Sequence, residues 1–255
     1  MIHPTAIIHP KAQLGAGCEI GPYCVIGEYV TLGDECKLHS HAVIDGHTEL
    51  GKRNEIFPFA SLGLKTQDLK WKGGVTYLRI GDDNVFREGV TVHSATSDGG
   101  ATVIGSNNAL LANVHVAHDC RLANGIVMSS FAGLAGHVVV EDNVVLGGYV
   151  AVHQFCRVGK LSMVGGCSKL RQDLAPFMLA DGSPAETHTI NKVGLERFGV
   201  AEASINALKL AYKILFREGL TITNALARIE SDLPAVPEIK HLIHFIRASE
   251  RGISK

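Results

Sequence analysis

Thirteen histidines stand in this 255-residue chain. Four of them, His115, His118, His137 and His153, recur at related spacings: His137 follows His118 by nineteen residues and His153 follows His137 by sixteen. Imidazole titrates near neutral pH, so one of these rings could take a proton from a hydroxyl nucleophile. A group of neutral imidazoles could equally ligate zinc, or hydrogen-bond across a subunit interface. The residue types leave all three readings open. His93 lies just before a loop and is a further candidate for the group. His3, His9, His39, His41 and His47 read as solvent-facing turn residues.

These rings become neighbours only if the chain coils with a period close to eighteen. The stretch from Ile104 to Val164 predicts such a coil. An aliphatic residue or methionine recurs at every sixth position: Ile104, Leu110, Val116, Leu122, Met128, Leu134, Val140, Leu146, Val152, Val158 and Val164. A helix would repeat at 3.6 and a simple strand at 2.0. Four residues after each anchor stands a small or aliphatic residue, as in Val114, Cys120, Ile126, Ala132 and Val138, with Asn108, Ser162 and Ser168 as polar exceptions. A six-residue beat predicts a parallel β-helix, three repeats to a triangular coil, with coils stacked roughly 4.7–4.9 Å apart. Gly15, Gly21, Gly27, Gly33 and Gly51 follow anchors of an earlier run that starts at Ile8, and are expected to serve unusual backbone angles. The fold class is therefore mainly β: a left-handed parallel β-helix of hexapeptide repeats with a C-terminal α-helical domain.

Repeats fill residues 1–190 apart from two interruptions, 64–77 and 94–102, expected to project as loops on a binding face. Residues 169–190, with Pro176 and Pro184, read as irregular. The 191–255 segment carries helical spacing: Ile205, Leu208, Ala211, Ile214 and Leu215 share one face, and Ile239, Leu242, Ile243 and Ile246 another. Thr221 or Thr223 is expected to cap a helix, and Gly219 to end one.

The formal net charge of −1 gives no reason to expect nucleic acid. No apolar run is long enough to span a bilayer, and the start lacks the basic and apolar regions of a signal peptide, so a cytoplasmic location is expected. Five of the six cysteines, Cys18, Cys24, Cys36, Cys120 and Cys156, fall four after an anchor and read as small core residues, not disulfides.

Several segments are more specific than the beat. Val-Ala-His-Asp-Cys at 116–120, Gln-Asp-Leu-Lys at 67–70, Leu-Ala-Gly-His at 134–137, Ala-Val-His-Gln-Phe-Cys at 151–156, Val-Gly-Gly-Cys at 164–167 and the opening Ile-His-Pro-Thr-Ala-Ile-Ile-His-Pro all resemble the UDP-N-acetylglucosamine O-acyltransferases that begin lipid A synthesis. The resemblance runs through the C-terminal helices. It implies transfer of a 3-hydroxyacyl chain from acyl carrier protein to the sugar 3-hydroxyl, in a homotrimer with clefts between adjacent prisms and with no metal or organic cofactor. It implies that His118 is the general base, that Asp119 orients it and that the Gly136 N–H meets the oxyanion. Asp68, Lys70, His93, His115, His137, His153 and Gln154 would bind substrate, with Asn191 and Arg197 on the nucleotide phosphates. Val193 and Phe198 depart from the family, which has Glu and a second Arg there. Gly166 aligns with an acyl-length ruler and implies a long donor, on the order of twelve to sixteen carbons at ~0.8 kcal/mol per buried CH₂. Arg157, Lys160, Lys169 and Arg171 form a basic run suited to an acidic carrier, as do Lys209, Lys213 and Arg217 on one helix.

Three other functions fit parts of the pattern. A zinc lyase resembling γ-class carbonic anhydrases would use His115, His118 and His137. An N-acyltransferase of the same pathway carries an additional N-terminal uridine-binding domain, whereas repeats here begin by residue 8. A purely structural solenoid would show regular exposed ladders without the two loops.

Overall fold

A computed structural model describes residues 1–255. The six-residue beat closes into a left-handed triangular prism of three parallel sheets. Face 1 has nine strands, from Ile7–Ile8 to Lys169–Leu170; face 2 has eight, from Gln13–Leu14 to Arg157–Val158; face 3 has ten, from Glu19–Ile20 onward. Strands are mostly two residues long because each side of the triangle holds only one repeat. The in-register partner of a residue is eighteen positions on, as in His115 with Gly133 and Val116 with Leu134.

Each anchor points into the prism, and from Ile20 to Leu170 the anchors are buried. A fully buried aliphatic side chain contributes roughly 1.5–3 kcal/mol, so the stacked column is the main source of stability. Ile8 and Leu14 of the first coil are only partly covered. The polar exceptions at the small inward position are also satisfied. Asn54 Oδ1 accepts from the Asn84 N–H, Asn84 Oδ1 from the Asn108 N–H, and Asn108 Oδ1 from the Ile126 N–H. This ladder lets three buried amides cross the stretch where coil length varies.

Two sequence expectations are corrected. Of the glycines after anchors only Gly63 adopts a left-handed angle (φ 81°); a Cβ on Gly33 would lie 2.5 Å from the Gly51 backbone of the next coil, so close stacking demands the others. The left-handed turn belongs two residues later, at mostly non-glycine positions such as Asp119 (φ 61°) and His137 (φ 62°). Residues 169–190 are not irregular. Lys169–Leu170 completes face 1, and an antiparallel hairpin of Met178–Gly182 with Ala185–Ile190 extends face 3. Pro176 and Pro184 lie outside its paired strands.

The two interruptions both leave at the corner between faces 1 and 2. Thirty residues separate Leu62 from its partner Val92, and twenty-four separate Val92 from Val116, against eighteen between the other partners on face 1. The loops hold one another: the Val75 N–H donates to Asp98 Oδ1 at 2.7 Å, and Thr76 Oγ1 to Ser94 Oγ at 3.0 Å. Helices α1 (Lys192–Arg197), α2 (Glu202–Phe216), α3 (Ile222–Asp232) and α4 (Pro237–Arg247) follow. Thr221 caps α3 through the Asn224 N–H. The Arg157 guanidinium lies 4.0 Å from the Phe245 ring, tying α4 to face 2.

Candidate active site

The corner between faces 1 and 2 collects most of the residues singled out in the sequence. Val116 ends a face 1 strand, and the chain turns before Arg121 begins face 2. The left-handed φ of Asp119 aims its carboxylate back beside the preceding ring. His118 Nδ1 thereby donates to Asp119 Oδ2 at 2.9 Å. Adjacent residues on a flat strand would point to opposite faces; a corner makes the pair.

A carboxylate only accepts, so this bond puts the ring proton on Nδ1 and leaves the Nε2 lone pair outward. Nε2 faces the first loop, 3.9 Å from Asp68 Oδ2. Asp119 Oδ2 also accepts from the Thr96 N–H of the second loop at 3.1 Å. The loops thus buttress the pair. Lys70 is exposed, and its backbone N–H donates to Asp68 Oδ1 at 2.8 Å, which fixes the Asp68 side chain.

One coil further on, His137 stands edge-on to His118 with ring centroids 5.2 Å apart, and its Nε2 is 3.6 Å from Asp119 Oδ2. Phe155 stacks on the other face of His137 at 4.6 Å. Gly136 lies directly against the His118 ring: a Cβ there would be 2.4 Å from Cε1 and 2.6 Å from Nε2. The coil-to-coil bonds run through the N–H groups of Ala135 and His137, and the Gly136 N–H between them donates to no atom of the chain. A free backbone donor beside a base is what an oxyanion needs.

His93 and His115 pack behind the pair. Their rings are 5.2 Å apart, and His115 Nδ1 is 2.8 Å from Thr91 Oγ1. Burial, with the His115 and His118 rings adding, lowers the His93 imidazole to about 4. Burial likewise holds His115 below its ordinary value. Burial thus disfavours the charged form of both rings beside His118.

The remaining sequence candidates do not join the His118 group. His153 is exposed and meets Arg251 (3.4 Å), not the His118 group. Gln154 follows Gly136 by eighteen residues and occupies the same corner. Asn191 is buried at the corner between faces 2 and 3, where it caps α1: its Oδ1 accepts from the Gly194 N–H and its Nδ2 donates to the Leu161 carbonyl. These two bonds use one Nδ2 hydrogen and one Oδ1 lone pair of the amide and fix its orientation. Arg197 ends α1 at that same distant corner. Gly166 lies at the third corner, between faces 3 and 1. One chain does not bring these three corners together.

His118, Asp119 and His137 offer ligand atoms all within 4.8 Å of one another, so they could also hold a divalent cation. His115, named for a zinc site, is not in that set. Arg251 was missed by sequence reasoning, because eighty residues separate it from Arg171, whose backbone carbonyl its guanidinium contacts at 3.3 Å.

Known proteins supply an independent comparison. Residues 173–254 match the family described as Udp N-acetylglucosamine O-acyltransferase, domain 2, and residues 1–34 match the bacterial transferase hexapeptide repeats. The acyl-[acyl-carrier-protein]--UDP-N-acetylglucosamine O-acyltransferase of Thermodesulfovibrio yellowstonii is 48% identical over 86% of this chain and 85% of its own. The enzyme of that name from Gloeothece citriformis is 47% identical over 97% and 90%. The solved UDP-N-acetylglucosamine acyltransferase of Bacteroides fragilis superposes with a TM-score of 0.98 at 40% identity, covering both chains completely.

Proposed function

Because the chain belongs to the UDP-N-acetylglucosamine O-acyltransferase family, we propose that His118 is the general base of its reaction, transfer of an acyl chain from acyl carrier protein to UDP-N-acetylglucosamine at the start of lipid A biosynthesis. The observation that carries this reading is the His118–Asp119 bond of 2.9 Å beside an unbonded Gly136 N–H.

His118 Nε2 takes the proton of the sugar 3-hydroxyl, whose oxygen attacks the thioester carbon of the 3-hydroxyacyl donor. The carbonyl oxygen becomes an oxyanion and accepts from the Gly136 N–H; such a donor typically supplies roughly 2.7–4 kcal/mol. As the tetrahedral intermediate collapses, the C–S bond breaks and the thiolate recovers the proton from His118. Asp119 stabilises the imidazolium that exists between these steps. Asp68, 3.9 Å from Nε2, suits a sugar hydroxyl bridging the two groups.

The chain acts as a homotrimer. Three prisms arranged with the corner between faces 3 and 1 toward a common axis put face 1 of one against face 3 of the next. The His118 corner of one protomer then meets the Asn191 and Arg197 corner of its neighbour, with Gly166 deeper in the cleft. Surface chemistry supports this packing. Face 3 carries an outward apolar row, Val85, Ala109, Val127, Val145 and Met163. The inner corner exposes Tyr23, Phe59, Phe131 and Tyr149, 48–64% accessible in the single chain. Face 2 instead presents Glu49, Arg79, Arg121 and Arg157. An exposed row of large apolar side chains marks an interaction surface. No helix is long and apolar enough to cross a membrane, and the enzyme works in the cytoplasm, where its carrier-bound donor is made.

Purified protein with acyl carrier thioester and UDP-N-acetylglucosamine tests the central assignment. H118A is expected to lose on the order of 10²–10⁴-fold in rate. Undiminished turnover would remove His118 from the reaction.

A further inference from the structure

A second, polar pocket opens on the corner that carries His118, further toward the C-terminus. His153, Arg171, Gln172, Arg251 and Ser254 line it, and no carboxylate does. Neither Arg171 nor Arg251 forms a salt bridge in the chain. Arg251 is held in place by its Nη2 contacts with the Arg171 carbonyl (3.3 Å) and His153 Nδ1 (3.4 Å). The Arg171 side chain has no partner. Guanidinium does not lose its proton in proteins, so the pocket keeps two unneutralised positive charges at any working pH. Lys169, exposed on the adjoining strand of face 1, adds a third nearby.

The register gives the distance to the chemistry. Gln172, Gln154, Gly136 and His118 occupy equivalent places on successive coils. Two to three coil spacings of ~4.8 Å put the pocket roughly 10–14 Å from the oxyanion donor and the base. A carrier protein presents its acyl group on a phosphopantetheine arm, with about thirteen bonds from phosphorus to sulfur. At the ~3.3–3.6 Å per three bonds of an extended chain, that arm reaches roughly 14–16 Å.

Resting on the acyltransferase reading above, we propose that the Arg171–Arg251 pocket binds the phosphate of the donor's prosthetic arm, while its thioester lies at Gly136. Paired guanidinium groups are suited to phosphate oxygens, which they grip bidentately. The arm would lie along the corner with Gln154 beside its amides. Arg171 and Arg251 are positioning residues, since neither touches the reacting atoms.

The test compares two small donors, the acyl thioesters of phosphopantetheine and of pantetheine, which differ only in the phosphate. Wild-type protein is expected to show a KM about tenfold or more lower for the phosphorylated donor. R171Q and the R171Q/R251Q double variant should erase that preference, R171K should restore part of it, and the KM for UDP-N-acetylglucosamine should not move. R171Q removes a side chain without partners, so the fold is kept. A phosphate preference that survives in the double variant overturns the proposal. So does a rise in KM for the sugar nucleotide alone, which would assign the pocket to the nucleotide diphosphate, or a defect confined to the intact carrier protein, which would assign it to acidic side chains. Absence of any transfer by wild-type protein would overturn the acyltransferase reading itself, and this pocket's role with it.

Discussion

Gly136→Ala is the most direct test of the corner. The added methyl would sit 2.4 Å from His118 Cε1 and 2.6 Å from Nε2, where ordinary contact requires about 3.5–4 Å. The ring must retreat by roughly 1–1.5 Å, and it can do so only by lengthening its 2.9 Å bond to Asp119. Misplacement of a reacting group by about 1 Å can cost ~10²-fold. Obstructing an oxyanion donor costs about 10²–10³-fold by itself, and the two losses overlap because both come from one methyl. The expected fall in kcat is therefore on the order of 10²–10⁴. Gly136 does not use a left-handed φ, so alanine suits its backbone and the unfolding temperature should change by only a few degrees. Steady-state kinetics and a thermal melt on the same preparation separate the effects. A kcat within about threefold of wild type, with an intact fold, would refute the placement of Gly136 against the base; so would a loss of activity explained entirely by unfolding.

Five further outcomes are expected. D119A should lower kcat on the order of 10²–10⁴-fold by freeing the tautomer and orientation of His118, with little change in KM for the sugar nucleotide. Folding lowers His93 from an ordinary 6.5 to about 4; between those values the unfolded chain binds more protons, so stability is lost as pH falls from 6.5 toward 4, by roughly 3 kcal/mol at most, and H93F should flatten that acid limb in denaturant titrations. N84A should break the buried amide ladder by leaving the Asn108 N–H without its acceptor and removing the Nδ2 donor to Asn54 Oδ1 and the Gly105 carbonyl, destabilising by on the order of 1–3 kcal/mol, read as a lower melting temperature. Sedimentation should give a species of three times 27.2 kDa, and G166M should shift donor preference toward shorter chains by about fourfold per CH₂ excluded, whereas an unchanged chain-length profile would remove Gly166 from the acyl cleft.

The sequence by itself determined the prism. A six-residue beat admits one way to bury its anchors, and that fixes which residues become neighbours eighteen apart; His115 over Gly133 follows from counting. It also determined the family, through motifs around His118, His137 and His153. Tertiary structure decided how those residues are used. The pairing of His118 with Asp119 depends on a left-handed corner that strand alternation denies. The burial of His93, the capping bonds of Asn191 and the meeting of Arg251 with Arg171 each depend on contacts between segments 22 to 80 residues apart or on a local helix end. A period in the sequence fixes where a backbone passes; which side chains share a proton or a charge is settled by the corners, insertions and chain ends that interrupt it.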